Sequence, residues 1–122
     1  MSNIYRTGYL HKVMHTSWGR MNEMEIVVKQ EGTPYVFALQ GRLDTNTSPQ
    51  LEEFASGLNE KGVKDIVVDM AGCDFVSSAG LRVIVAMQKR AAVSGTLVFR
   101  NVQPDVNDVF EMTGFDKILT FE

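Results

Sequence analysis

Apolar residues in this chain fall into short β-rich runs that alternate with longer segments of helical spacing. Ile26 to Gln30 (IVVKQ) and Tyr35 to Gln40 (YVFALQ) flank the turn Glu31-Gly32-Thr33-Pro34, the pattern of a hairpin. Gly41-Arg42-Leu43-Asp44 leaves the second strand. Ser48-Pro49 then opens a helix with Glu52 and Glu53 in its first turn and Leu51, Phe54, Ala55 and Leu58 as its buried stripe. Past Gly62, Asp65 to Asp69 (DIVVD) reads as a parallel strand buried on both faces, and Met70 to Val76 as the loop at its carboxyl end. Leu81 to Val93, free of Gly and Pro, is a helix opened by Ser77 or Ser78, with Lys89 and Arg90 suited to its negative end. Ser94-Gly95 stops it, and Thr96 to Arg100 forms the next strand. Pro104 begins a third helix with Val106, Val109 and Phe110 inward and Gly114 as a left-handed C-cap. Ile118 to Phe121 is a last short strand.

The order β-β-α-β-α-β-α-β requires parallel strands joined by right-handed crossovers in its alternating part. The expected class is α/β, bordering on α+β, with a mixed sheet of about five strands and three main helices. Residues 1–22 show no sustained period and are expected to form an extension, with residues 23–122 as the domain; Met21 and Met24 both stand as starts.

A chain of 122 residues is one domain by length, and 44% hydrophobic with 22% charged residues excludes wholesale disorder. The single Cys73 cannot form an internal disulfide, which fits a reducing compartment. No run approaches the ~20 apolar residues of a membrane span, and the N-terminus lacks a secretory pattern. The expectation is a cytoplasmic protein without membrane insertion. Residues 1–22 hold Arg6, Lys12 and Arg20 and no acid, whereas residues 23–122 hold nine basic and fifteen acidic groups, +3 against −6. An acidic domain without a Lys/Arg cluster is poorly suited to nucleic acid and points to a protein partner.

Catalytic sets are missing from the sequence. His11 and His15, at i,i+4, have no Cys or carboxylate companions for a metal, and no G-x-S-x-G elbow or phosphate-cradling glycine loop is present. No cofactor, metal or catalytic residue is expected. A conceivable exception is the group Asp44, Asp69 and Asp74 at one sheet edge, whose simpler reading is solvated turn residues. Arg82 and Lys89, one heptad apart, read as an exposed helix face.

The stretch Asp74-Phe75-Val76-Ser77-Ser78-Ala79-Gly80-Leu81 sets two hydroxyls where an acidic loop turns into an apolar helix. A serine there can cap the helix, and the free amides and positive dipole end beside it equally accommodate a phosphate.

Gly41-Arg42-Leu43-Asp44, Ile66-Val67-Val68-Asp69, Phe75 to Arg82, Gly95 and Val109 to Phe115 together resemble, in order and spacing, the anti-sigma-factor antagonists, whose fold is the STAS domain. The likeness covers about residues 24 to 122. Members carrying Asp-Ser-Ser-Gly or Asp-Ser-Thr-Gly here are phosphorylated on the serine after the Asp, which by alignment is Ser78. Ser77 stands in place of the usual Asp, and Ala79 in place of the second hydroxyl. The resemblance implies partner switching: the unphosphorylated protein binds an anti-sigma factor serine kinase and frees a sigma factor, phosphorylation dissolves the complex, and a metal-dependent serine phosphatase restores it. Its implied contact face is Asp44, Asp74, Ser77, Ser78, Ala79, Gly80 and Arg82, on a monomer or weak dimer. The alternative within the same fold is a non-switching scaffold subunit of a sensory, secretion or transport assembly.

Overall fold

The computed structural model describes residues 24–122, together with strand segments at 5–7, 9–10 and 12–14. His11 and His15 lie outside the described residues, as does most of the segment read as an extension.

Tyr5–Thr7 (β1) pairs antiparallel with Tyr9–Leu10 (β2) as a small ribbon. The main sheet has the order β3-β4-β5-β6-β7-β8. Its strands are Lys12–Met14 (β3), Glu25–Gln30 (β4), Tyr35–Leu43 (β5), Asp65–Val76 (β6), Thr96–Arg100 (β7) and Thr120–Phe121 (β8). The pairs from β3 to β5 are antiparallel and those from β5 to β8 are parallel. Helices Ser48–Glu60 (α1), Ser78–Ser94 (α2) and Pro104–Thr113 (α3) link the parallel strands. The expected mixed sheet and three helices are thus present, and β3 adds a strand at the β4 edge.

Successive parallel neighbours joined by right-handed crossovers must carry their helices on one face. Alternate residues of the strands, Ile26 and Val28, Phe37 and Leu39, Val68 and Met70, Leu97 and Phe99, accordingly share one core with Leu51 and Leu58 of α1, Ile84 and Met87 of α2, and Val106 and Phe110 of α3. Each such side chain contributes about 1.5–3 kcal/mol by leaving water. Phe54 completes the α1 stripe edge-on to Phe37, with ring centroids 4.9 Å apart.

Several local expectations are corrected. The stretches Gly41–Leu43 and Met70–Val76, read as strand exit and loop, are paired strand: Gly41 lies opposite Cys73, Arg42 opposite Phe75 and Leu43 opposite Val76. Register shifts after Ala38 and after Gly41 break the two-residue alternation, which hides the strand from a periodicity reading. Gly41 takes φ 115°, a conformation open to glycine, and a Cβ on Gly72 would stand 3.0 Å from the Gln40 Cγ. Pro49 is the second residue of α1, so Glu52 and Glu53 fall beyond its first turn; α2 runs to Ser94, which leaves Lys89 and Arg90 short of its last turn. Phe115–Lys117 forms a 3-10 turn after the left-handed Gly114 (φ 79°), so the last strand is only Thr120–Phe121.

Candidate functional site

Strands β5 and β6 end together, Leu43 opposite Val76, and from that end the chain enters α1 and α2. The Ser77 N–H donates to the Leu43 carbonyl at 2.8 Å, which ties the start of α2 to the end of β5. Gly80 permits the close approach, since a Cβ there would come to 2.7 Å of Leu43 Cγ.

The two serines separate into different roles. Ser77, extended at φ −92° and ψ 175°, is the N-cap of α2, and its hydroxyl accepts the Gly80 N–H at 3.3 Å. Ser78 is the first helical residue. Its side chain is exposed and enters no side-chain hydrogen bond with the described residues. The N–H groups of Ser78 and Ala79 have no partner within the helix by helical geometry, and the first turn of α2 holds no acid. An anion on Ser78 would therefore meet the positive end of α2 without a competing carboxylate on that turn.

Asp44 organises the approach to α1. Its Oδ1 accepts from the Asn46 N–H at 2.9 Å and the Thr47 N–H at 3.1 Å, and its carbonyl accepts from the Ser48 N–H at 2.8 Å. The buried Thr47 hydroxyl donates to the Arg42 carbonyl at 2.6 Å and accepts the Asp44 N–H at 2.9 Å. Asp44 is consequently a half-buried turn former. Beside it, the Arg42 guanidinium lies 4.0 Å from the centroid of the exposed Phe75 ring, with Nε 3.8 Å from Asp44 Oδ2.

Of the residues singled out in the sequence, Asp74, Ser78 and Arg82 are exposed, Asp44, Ser77 and Ala79 are half-buried, and Gly80 is buried. Thr45, Ser48, Pro49 and Glu52 of the α1 side and Ala79, Arg82, Val83 and Ala86 of α2 line an open groove next to Ser78. The groove and the Arg42–Phe75 stack were not legible in the sequence. Both depend on strand and helix register, and only the spacing of Asp44 to Thr47-Ser48-Pro49 gave any local sign of the turn.

The carboxylate triplet does not assemble. Asp69 pairs with Ala38, five residues of β5 before Leu43, about 16 Å at ~3.3 Å per residue. There it accepts from the Ala71 N–H (3.0 Å), the Asn101 amide (3.3 Å) and the Lys29 ammonium (3.3 Å). Burial alone would raise its pKa, but these donors hold the carboxyl below its ordinary value. Burial pushes the Cys73 thiol up, away from reactive thiolate. Among the described residues, no three His, Cys, Asp or Glu side chains converge to hold a metal, and no helix is long and apolar enough to cross a membrane.

The STAS domain family model matches residues 25–122. A Bordetella bronchiseptica protein, BtrV, named as an anti-sigma factor antagonist, is 37% identical over 81 residues, 66% of this chain and 70% of its own length. An anti-sigma factor antagonist from Mycobacterium paratuberculosis superposes with a TM-score of 0.75 at 19% identity, over 85% of this chain and 89% of that one. The anti-sigma factor antagonist SpoIIAA in its unphosphorylated form superposes with a TM-score of 0.62 at 18% identity, over 92% and 87%. Phosphorylated SpoIIAA from Bacillus gives 0.57 at 18%, over 92% and 90%. At these identities the solved structures speak for the fold.

Proposed function

The chain belongs to the STAS domain family, and on that premise we propose that it is an anti-sigma factor antagonist, a binding module switched by phosphorylation of Ser78. The observation that carries this reading is the division of labour between adjacent serines. Ser77 is engaged as the helix cap, while Ser78 presents an exposed hydroxyl at the same helix end. SpoIIAA, of similar fold and the same named class, is a protein with phosphorylated and unphosphorylated forms.

Unphosphorylated, the module uses the surface around Asp74, Ser78, Ala79 and Arg82, framed by Asp44, Ser77 and Gly80, to bind an anti-sigma factor kinase in the cytoplasm and release its sigma factor. The kinase transfers the γ-phosphoryl group of ATP to Ser78 Oγ, ADP leaves, and the hydroxyl proton passes to a base of the kinase. A phosphate adds about −1.5 to −2 charge and three acceptor oxygens. The helix end accommodates it, whereas a fitted protein surface loses contact through desolvation and repulsion. A metal-dependent serine phosphatase hydrolyses the ester with water and returns the free hydroxyl and inorganic phosphate. The protein acts as a monomer or weak dimer, and residues 23–122 form the switching domain, to whose sheet β3 adds an edge strand.

Peptide-resolved mass spectrometry after incubation with ATP and the host's anti-sigma kinase tests the site. Phosphate on the peptide of Ser78, absent from Ser78→Ala, is the expected result. No phosphate on folded protein, with the kinase active on another substrate, would favour a non-switching scaffold.

A further inference from the structure

Leu43 and Val76 face the helices and belong to the core, so alternation turns Arg42 and Phe75, the residues before them on β5 and β6, to the opposite face of the sheet. Phe75 is 37% exposed and is the only exposed aromatic side chain among the described residues. The Arg42 guanidinium sits over its ring, 4.0 Å from the centroid, and the Arg42 side chain is 49% exposed. Its Nε is turned toward Asp44 Oδ2 at 3.8 Å, a long contact, while Asp44 Oδ1 is occupied by two backbone N–H groups. Among the described residues, no acceptor takes the N–H groups of the two terminal nitrogens of Arg42. A guanidinium held by a ring and a neighbouring carboxylate has little rotamer freedom left to lose, and its free N–H edge is a planar fork that fits a carboxylate.

We infer that Arg42 and Phe75 form a recognition anchor for an acidic side chain of the kinase that binds the Ser78 face. A partner Asp or Glu accepts from the free edge of Arg42, and apolar atoms beside it cover the open edge of Phe75. The inference rests on the kinase-binding reading of Ser78 and extends that contact face around the carboxyl ends of β5 and β6 onto the helix-free side of the sheet. Two observations support this continuity. Phe75 stands three residues before Ser78 in the chain, and the Ser77 N–H is bonded to the carbonyl of Leu43, the residue next to Arg42. Arginine and large aromatic side chains are also the types that carry most of the energy of protein interfaces. Stacking over Phe75 makes Arg42 a specificity determinant, because a partner without a carboxylate at this point leaves the fork unpaired as the surface loses water.

Titration calorimetry of the host's anti-sigma factor kinase against the full chain tests the anchor. Arg42→Gln should bind roughly tenfold more weakly than wild type with its melting temperature little changed, since Arg42 is exposed. Arg42→Lys keeps the charge without the fork and should recover only part of the loss. Phe75→Ala, which removes the ring under the guanidinium, should weaken binding several-fold. The difference between wild type and Arg42→Gln should shrink as salt is raised, a response that a purely structural role for Arg42 would not give. Met112→Ser, exposed at the far end of α3, should bind like wild type. Wild-type affinity in Arg42→Gln, with wild type itself binding the kinase, would overturn this inference and leave the Ser78 reading standing. Full recovery by Arg42→Lys would also overturn it, since charge alone would then suffice. Absence of kinase binding by the folded wild type would overturn the Ser78 reading and this inference with it.

Discussion

Gly80 stands so close to Leu43 that a Cβ on it would come to 2.7 Å of the Leu43 Cγ and 2.9 Å of the Leu43 carbonyl oxygen. That contact, with the Ser77 N–H bond to the same carbonyl, fixes the height at which α2 starts above the sheet. Gly80→Ala is therefore expected to push the first turn of α2 outward and to cost about 1–3 kcal/mol of stability, because backbone and a packed leucine both have to yield. Chemical denaturation of the variant checks the magnitude, and amide exchange at Leu81 checks the location.

Ser77 and Ser78 should respond differently to removal of their hydroxyls. Ser77→Ala removes the α2 cap and is expected to lower stability by about 1 kcal/mol while leaving Ser78 open to modification. Ser77→Asp keeps an acceptor at the cap and adds a charge suited to the helix end, so its stability should match or exceed that of the wild type. Thermal unfolding of the two variants side by side separates these outcomes.

At the neighbouring helix the organiser is Asp44, whose carboxylate accepts two backbone N–H groups of the turn into α1. Asp44→Ala leaves both donors without that acceptor and is expected to cost about 1–2 kcal/mol, with Asp44→Asn recovering most of it. Loss of partner binding by Asp44→Ala but not by Asp44→Asn would identify a positioning role, as opposed to a charge that the partner reads.

The helices, their order and the helix-cap position of the serine pair could be read from the sequence because they rest on local chemistry: Ser-Pro at the start of α1, Pro104 and Gly114 around α3, and the 3.6-residue spacing of Leu51, Ala55 and Leu58. What could not be read is the long pairing of β5 with β6. Glycines and register shifts interrupt the alternation there, so Met70–Val76 looks like a loop although it is strand. The same gap hid the Arg42–Phe75 stack, which exists only because these residues face each other across that pair. The hydroxyl that caps α2 was likewise undecided, since the register of one residue at the helix start settles whether Ser77 or Ser78 is the cap.

Tyr35 supplies a test of the core under alkali. Burial, assisted by Glu31, pushes its phenol from 10.0 up to about 12. A raised folded-state value means its stabilising effect is complete below the unfolded value and is lost as pH rises from 10.0 through about 12. Tyr35→Phe should therefore show a shallower fall in melting temperature across that window than the wild type.

A charge on Ser78 is expected to dissolve a complex that the bare hydroxyl permits. Titration calorimetry of the host's anti-sigma factor kinase against wild-type protein, Ser78→Ala and Ser78→Asp addresses it most directly. Wild type and Ser78→Ala should bind alike, and Ser78→Asp should bind at least about tenfold more weakly, a difference of ~1.4 kcal/mol. Equal affinity of all three for the kinase, with each variant folded, would contradict it.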